Sequence, residues 1–155
     1  MSLRAIPLIL IAFLLYNFVV LFSGWSAEGV DAAAGAVADG AANARSLLTS
    51  EIFSLPMLSG ARWTFTIGDL IMLVTLLLLF IEIVKSTYTS TSSLLDHGLS
   101  MLVFVACLIE FLTVPQAATS LFFLIMMAAL IDVIAGYTIG IRVARRDLTF
   151  GGADQ

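Results

Sequence analysis

Four long stretches of the chain consist almost entirely of apolar residues. They cover positions 5–23, 66–84, 98–114 and 119–141. Because a helix rises 1.5 Å per residue, about 20 mostly apolar residues cross the hydrocarbon core of a bilayer. Strands of a membrane β-barrel would alternate apolar and polar residues, whereas these stretches contain continuous apolar runs such as LLLLF at 76–80. The pattern predicts an all-α integral membrane protein built as a four-transmembrane-helix bundle.

Composition supports the same class and narrows the chemistry. The 155 residues are 61% hydrophobic and 12% charged, with a mean hydropathy of +1.09, which predicts a single membrane domain over 1–155. The sequence has no P-loop, HExxH, GxSxG or CxxC motif, so we expect no enzyme, no metal site and no cofactor. A bound lipid is compatible with such a chain. No basic patch points to nucleic acid.

The basic residues predict the orientation of the four spans. With the N-terminus inside, five of the seven basic residues face the cytoplasm: Arg4, Lys85, Arg142, Arg145 and Arg146. Trp25 follows the first span and Trp63 precedes the second, so both mark the outer interface. The first apolar stretch is longer than the core of a signal peptide, and we interpret it as an uncleaved span. These features predict a multi-pass protein of the bacterial inner membrane, with both termini and a tail over 142–155 in the cytoplasm.

The connection between the first two spans, over 24–65, is predicted to be periplasmic. Its first half, 27–44, is rich in Ala and Gly and suits either a loose helix or a disordered tether. In its second half, 46–58, apolar residues recur among Ser, Thr and Glu. This spacing predicts a short amphipathic helix in the outer interface. A loop packed on the bundle is the alternative.

Asp132 is a carboxylate deep within the fourth span, which contains no basic residue. Such an acid is costly in a membrane and is a functional candidate by default. It shares a helical stripe with small residues at intervals of four, Ala128, Gly136 and Gly140, which would let another helix approach closely. Three interpretations remain open: a protonated group that hydrogen-bonds across helices, an ion pair with another subunit, or a proton or cation site.

Two more acids lie near the outer ends of spans. Asp69 follows Thr66 by three positions, a capping-box spacing that would satisfy free N–H groups at the start of the second span. Glu110 lies at a similar depth on the third span. If the two helices are adjacent, Asp69 and Glu110 could share a cation or a proton. The alternative is that both reach interfacial water.

Two further polar residues favour structural roles. Asn17, in the first span, is expected to hydrogen-bond between helices. Glu82 precedes Lys85 by three positions at the inner end of the second span, a spacing that favours a local ion pair. Lys85, Arg142, Arg145 and Arg146 are expected to contact lipid headgroups.

Two functions fit this sequence. The first is a non-catalytic accessory or assembly subunit of a larger inner-membrane complex, which binds other subunits by helix–helix packing. The alternative is a homo-oligomeric transporter or channel that conducts protons or cations through Asp132. The expected partners are the lipid bilayer and either other membrane subunits or further copies of the chain.

Overall fold

In the computed structural model of the chain, residues 6–25, 35–87 and 93–150 are described, with side chains described at 6–20, 41–87 and 98–142. The chain is mostly helical. Its helices are α1 (Ile9–Trp25), α2 (Gly35–Leu48), α3 (Ile67–Ser86), α4 (Ser93–Thr113) and α5 (Ser120–Phe150). A single 3₁₀ turn, Pro115–Ala117, joins α4 to α5, and two strands, β1 (Glu51–Pro56) and β2 (Arg62–Thr66), lie between α2 and α3.

Helix α5 is the centre of the packing. It contacts both α3 and α4 along their length, while α1 packs against α2 and α3 and also touches α4 and α5. Tyr16 and Phe122 are fully buried and lie with ring centroids 4.8 Å apart, and Phe111 stacks on the other side of Phe122. An aromatic part of the core therefore lies between α1 and the α4–α5 pair, and the core continues to Ile71 and Leu79 of α3.

Two helices in the described part of the chain are long and apolar enough to cross a membrane: α3, over Ile67–Ser86, and the Ser120–Arg142 portion of α5. The other two predicted spans correspond to shorter apolar helices, Ile9–Val20 and Gly98–Thr113. Only 22% of the best window of α3 is buried, and side chains such as Phe80 (66% exposed) and Leu112 (73%) point outward. A helix from the core of a soluble protein would hide such residues.

The predicted amphipathic helix over 46–58 is wrong. Helix α2 ends at Leu48, and Glu51–Pro56 pairs with Arg62–Thr66 as an antiparallel hairpin. Phe53 and Leu55 alternate with Ser54 and Pro56, which is the period-2 pattern of a strand, and proline cannot continue a helix. The turn contains Gly60, whose φ of 83° is readily adopted only by glycine.

Helix α3 begins at the end of β2 with the predicted capping box. The Thr66 side chain accepts from the Asp69 N–H at 3.2 Å, and the Asp69 carboxylate accepts from the Thr66 N–H at 2.9 Å. Gly68, the second residue of α3, lies against the end of α2. A Cβ at this position would be 3.0 Å from the Leu48 carbonyl oxygen. The hairpin, α2 and α3 therefore meet at one tight junction.

Further predictions concern the connection over 27–44, the end of the fourth span and the residues expected at the membrane interfaces. Within 27–44, Gly35 onward belongs to α2 and the residues before it lie outside the described ones. Helix α5 continues beyond position 141 to Phe150. The side chains of Trp25, Arg145 and Arg146 lie outside the described residues, as does 151–155.

Candidate functional site

Asp132 lies inside the bundle, where it is only 3% exposed. Two other polar residues are equally buried, Ser100 on α4 and Thr75 on α3. At 1.5 Å per residue, Asp132 is about 18 Å from the N-terminal end of α5, and Ser100 is about 20 Å from the C-terminal end of α4. Because a short turn joins these two helices, both side chains lie at the same depth. Thr75 donates to the Ile71 carbonyl of its own helix at 2.8 Å.

The small-residue stripe of α5 is used within this chain. Ala128 is 3% exposed, and Gly136 is also buried, whereas Gly140 is partly exposed. Since α5 packs on both α3 and α4, the buried part of the stripe belongs to the internal packing of the protein. The surface of the stripe that is available to another subunit is therefore limited to the region around Gly140.

Glu82 joins the C-terminal end of α3 to the start of α1. Its carboxylate accepts from the Leu8 N–H at 2.8 Å and pairs with Lys85 at 3.1 Å. The Lys85 ammonium in turn donates to the Ile6 carbonyl at 3.4 Å. The predicted ion pair between Glu82 and Lys85 is confirmed. The hydrogen bond from Leu8 to Glu82 was not predicted. A signal was available: Ile6-Pro7-Leu8 offers no Ser, Thr, Asp or Asn to cap α1, so its first N–H groups need an acceptor from elsewhere.

A second group of polar contacts holds α1 near the connection between α4 and α5. Asn17 donates to the Glu110 carboxylate on α4 at 3.1 Å and to the Phe13 carbonyl at 3.2 Å. Tyr16, which the sequence analysis missed, lies 3.0 Å from the Gln116 carbonyl and 2.7 Å from the Thr119 hydroxyl. Thr119 also accepts from the Phe122 N–H at 3.1 Å and so caps α5.

Asp69 and Glu110 have separate partners. Asp69 is exposed and its carboxylate is bonded to Thr66, whereas Glu110 is half-buried against Asn17. Helix α5 packs against both α3, which carries Asp69, and α4, which carries Glu110. No group of three or more His, Cys, Asp or Glu among the described residues could hold a metal ion.

An open cavity of about 520 Å³ lies at the N-terminal ends of α3 and α5. Arg45 of α2 and Asp69 of α3 contribute opposite charges to its wall, and Met72, Leu121 and Leu124 contribute apolar surface. The Arg45 guanidinium donates to the Ala118 carbonyl at 3.0 Å, which ties α2 to the α4–α5 connection. Helix N-termini at the cavity are already capped by Thr66, Asp69 and Thr119.

No protein family, curated protein or solved structure matches the chain.

The residues predicted to lie at the membrane interfaces are at the surface of the protein where their side chains are described. Trp63 is 48% exposed on β2, Lys85 is 27% exposed, and Arg142 is exposed on α5.

Proposed function

We propose that the protein is a non-catalytic accessory or assembly subunit of a larger complex in a bacterial inner membrane. One observation carries the proposal: the polar side chains that hydrogen-bond between helices have their partners within this chain. Glu82 holds the start of α1, and Asn17 and Tyr16 hold its outer half. What remains for other molecules is a wide apolar exterior, including Leu14, Leu77 and Leu102 at 54%, 55% and 65% exposure.

The proposed arrangement has four spans, α1, α3, α4 and α5, with both termini in the cytoplasm and the hairpin in the periplasm. The distribution of basic residues supports this orientation. Helix α1 and the apolar Gly98–Thr113 portion of α4 are held against the rest of the bundle by the contacts described above. A snorkelling Lys85 beside the start of α1 fits an inner interface, because long basic side chains reach headgroups from helix ends.

Photo-crosslinking in the native membrane tests the proposal. A photoreactive residue is placed in turn at Leu14, Leu77 and Leu102, and at the fully buried Ile125 as a matched control. The tagged chain is then purified in native nanodiscs. An accessory subunit gives an adduct with one different polypeptide, in stoichiometric yield, from at least one outward position and none from Ile125. Adducts with lipid alone at all three outward positions would overturn the proposal.

The alternative function is a homo-oligomeric pathway for protons or cations through Asp132. The observation that favours it is the burial of Asp132, Ser100 and Thr75 on three packed helices. Asp132→Asn should then abolish flux in liposomes while the oligomer remains intact. The matched control is Glu51→Gln, an exposed acid of the hairpin. Equal flux by the wild type and Asp132→Asn would remove this alternative, and adducts between two copies in the crosslinking experiment would favour it.

A further inference from the structure

The hairpin formed by β1 and β2 has two chemically different faces. Phe53 pairs with Phe65 and Leu55 pairs with Trp63. Because residues two apart on a strand share a face and paired residues lie side by side, these four side chains form one surface. We refer to the surface of Phe53, Leu55, Trp63 and Phe65 as the aromatic face.

Contacts within the hairpin agree with this assignment. The rings of Phe53 and Phe65 stack with centroids 5.0 Å apart, and Trp63 meets Phe65 edge-on at 5.8 Å. On the opposite face, the Arg62 guanidinium lies 3.4 Å from the Ser54 hydroxyl, and Ser54 pairs with Thr64. One side of the hairpin is therefore apolar and the other carries hydroxyls and a cation.

The aromatic face is not covered by the rest of the protein. Phe53, Leu55 and Trp63 are 43%, 48% and 48% exposed, and Leu58, in the turn, is fully exposed. An isolated two-stranded hairpin is marginal in water and gains stability when an apolar face is covered. A covering surface is thus required, and it has to come from outside the described part of the chain.

We propose that the bilayer surface covers the aromatic face, and that the hairpin lies in the outer headgroup region as an interfacial anchor. The hairpin leads without a linker into α3, one of the two helices in the described part of the chain that are long and apolar enough to cross a membrane. Its base is therefore held at the level where α3 enters the bilayer. Trp prefers this level because its ring combines apolar surface with a polar N–H group, and Phe and Leu are typical of the apolar face of interfacial segments.

The polar face is suited to the water side of the same region. Arg62 can reach lipid phosphates, and the hydroxyls of Ser54 and Thr64 remain hydrated. This inference is independent of the accessory role and rests on the proposed topology for the crossing of the membrane by α3 and for the side on which α3 begins. An amphipathic hairpin would set the depth and tilt of α3, as interfacial anchors do for other spans.

Fluorescence of a single tryptophan in vesicles tests the proposal. Trp25→Phe leaves Trp63 as the only tryptophan, and the full chain is reconstituted alone into phosphatidylethanolamine–phosphatidylglycerol vesicles. The emission of Trp63 should shift to the blue relative to the denatured chain. Lipids brominated high on the acyl chain should quench most of the Trp63 emission, and aqueous iodide should quench little of it.

The matched control moves the tryptophan to the opposite face of the same strand. In the triple variant Trp25→Phe, Trp63→Phe, Thr64→Trp, the order should reverse, with iodide quenching strongly and brominated lipid weakly. Resistance of both proteins to carbonate extraction tests membrane insertion separately, and their helical circular dichroism tests folding. Iodide quenching of Trp63 as strong as in the denatured chain would overturn the proposal in favour of a protein partner. Shielding from both quenchers would overturn it in favour of a second copy.

Discussion

At the scale of single residues, Glu82 shows how a buried acid can act as a cap for another helix. Its carboxylate is the acceptor for the Leu8 N–H and the counter-charge of Lys85. Glu82→Ala leaves both donors without this acceptor, and we expect the free energy of unfolding to fall by about 1–3 kcal/mol. Glu82→Gln keeps an acceptor oxygen and should cost less. Unfolding in mixed micelles measures both, and equal losses would contradict the capping role.

Two glycines provide a matched pair of residue-scale tests. A Cβ on Gly68 would meet the Leu48 carbonyl oxygen at 3.0 Å, whereas nothing lies within 4 Å of one on Gly98. Alanine is favoured over glycine inside a helix by roughly 0.5–1 kcal/mol. Gly98→Ala should therefore raise the midpoint of thermal unfolding, and Gly68→Ala should lower it because the contact is with backbone. A rise in both variants would show that α2 can move away from α3.

At the scale of elements, the Thr66–Asp69 capping box joins the hairpin to α3. Thr66→Ala removes the side-chain acceptor for the Asp69 N–H and should destabilise the protein by about 1 kcal/mol. Hydrogen exchange should increase first in the opening turn of α3 and at the Glu51–Thr66 end of the hairpin. Thr66→Ser retains the hydroxyl and serves as the control. Faster exchange confined to α4 would contradict this account.

At the scale of the whole molecule, α5 is the helix on which the bundle depends. Its buried Gly136 faces the internal packing, so Gly136→Leu should overpack the bundle and cost about 1–3 kcal/mol in the purified chain. Ile134, which is 57% exposed on the same helix, is the control, and Ile134→Ala should be nearly neutral in micelles. If Gly136→Leu released a partner without changing the stability of the chain, the stripe would be an interface between subunits.

The helices were predictable and the hairpin was not, for reasons visible in the residues. Continuous apolar runs such as 76–80 can be satisfied in a membrane only by a helix, so local composition decides the structure. In 46–58 the apolar residues are dense enough to fit both helical and strand spacing. The clearer strand signal was the alternation of Trp63 and Phe65 with Arg62 and Thr64, beside the second span.

The partners of Asn17 and Tyr16 on α1 lay beyond any local pattern. The sequence identifies Asn17 and Glu110 as polar residues within apolar runs, but their meeting depends on which helices are neighbours. The buried position of Tyr16 was not predictable, since a tyrosine in a span is ordinarily an interfacial residue. Its burial against Phe122 follows from the path of the whole chain.

The attachment of α1 has a consequence for how the protein is made. The hydroxyl of Tyr16 meets Thr119, which is 103 residues further along the chain. At a synthesis rate of about 5–20 residues per second, roughly 5–20 s pass before that partner exists. Until then Tyr16 lacks the hydroxyl partner that it has in the folded protein. This contact of α1 can therefore form only after most of the described chain has been made.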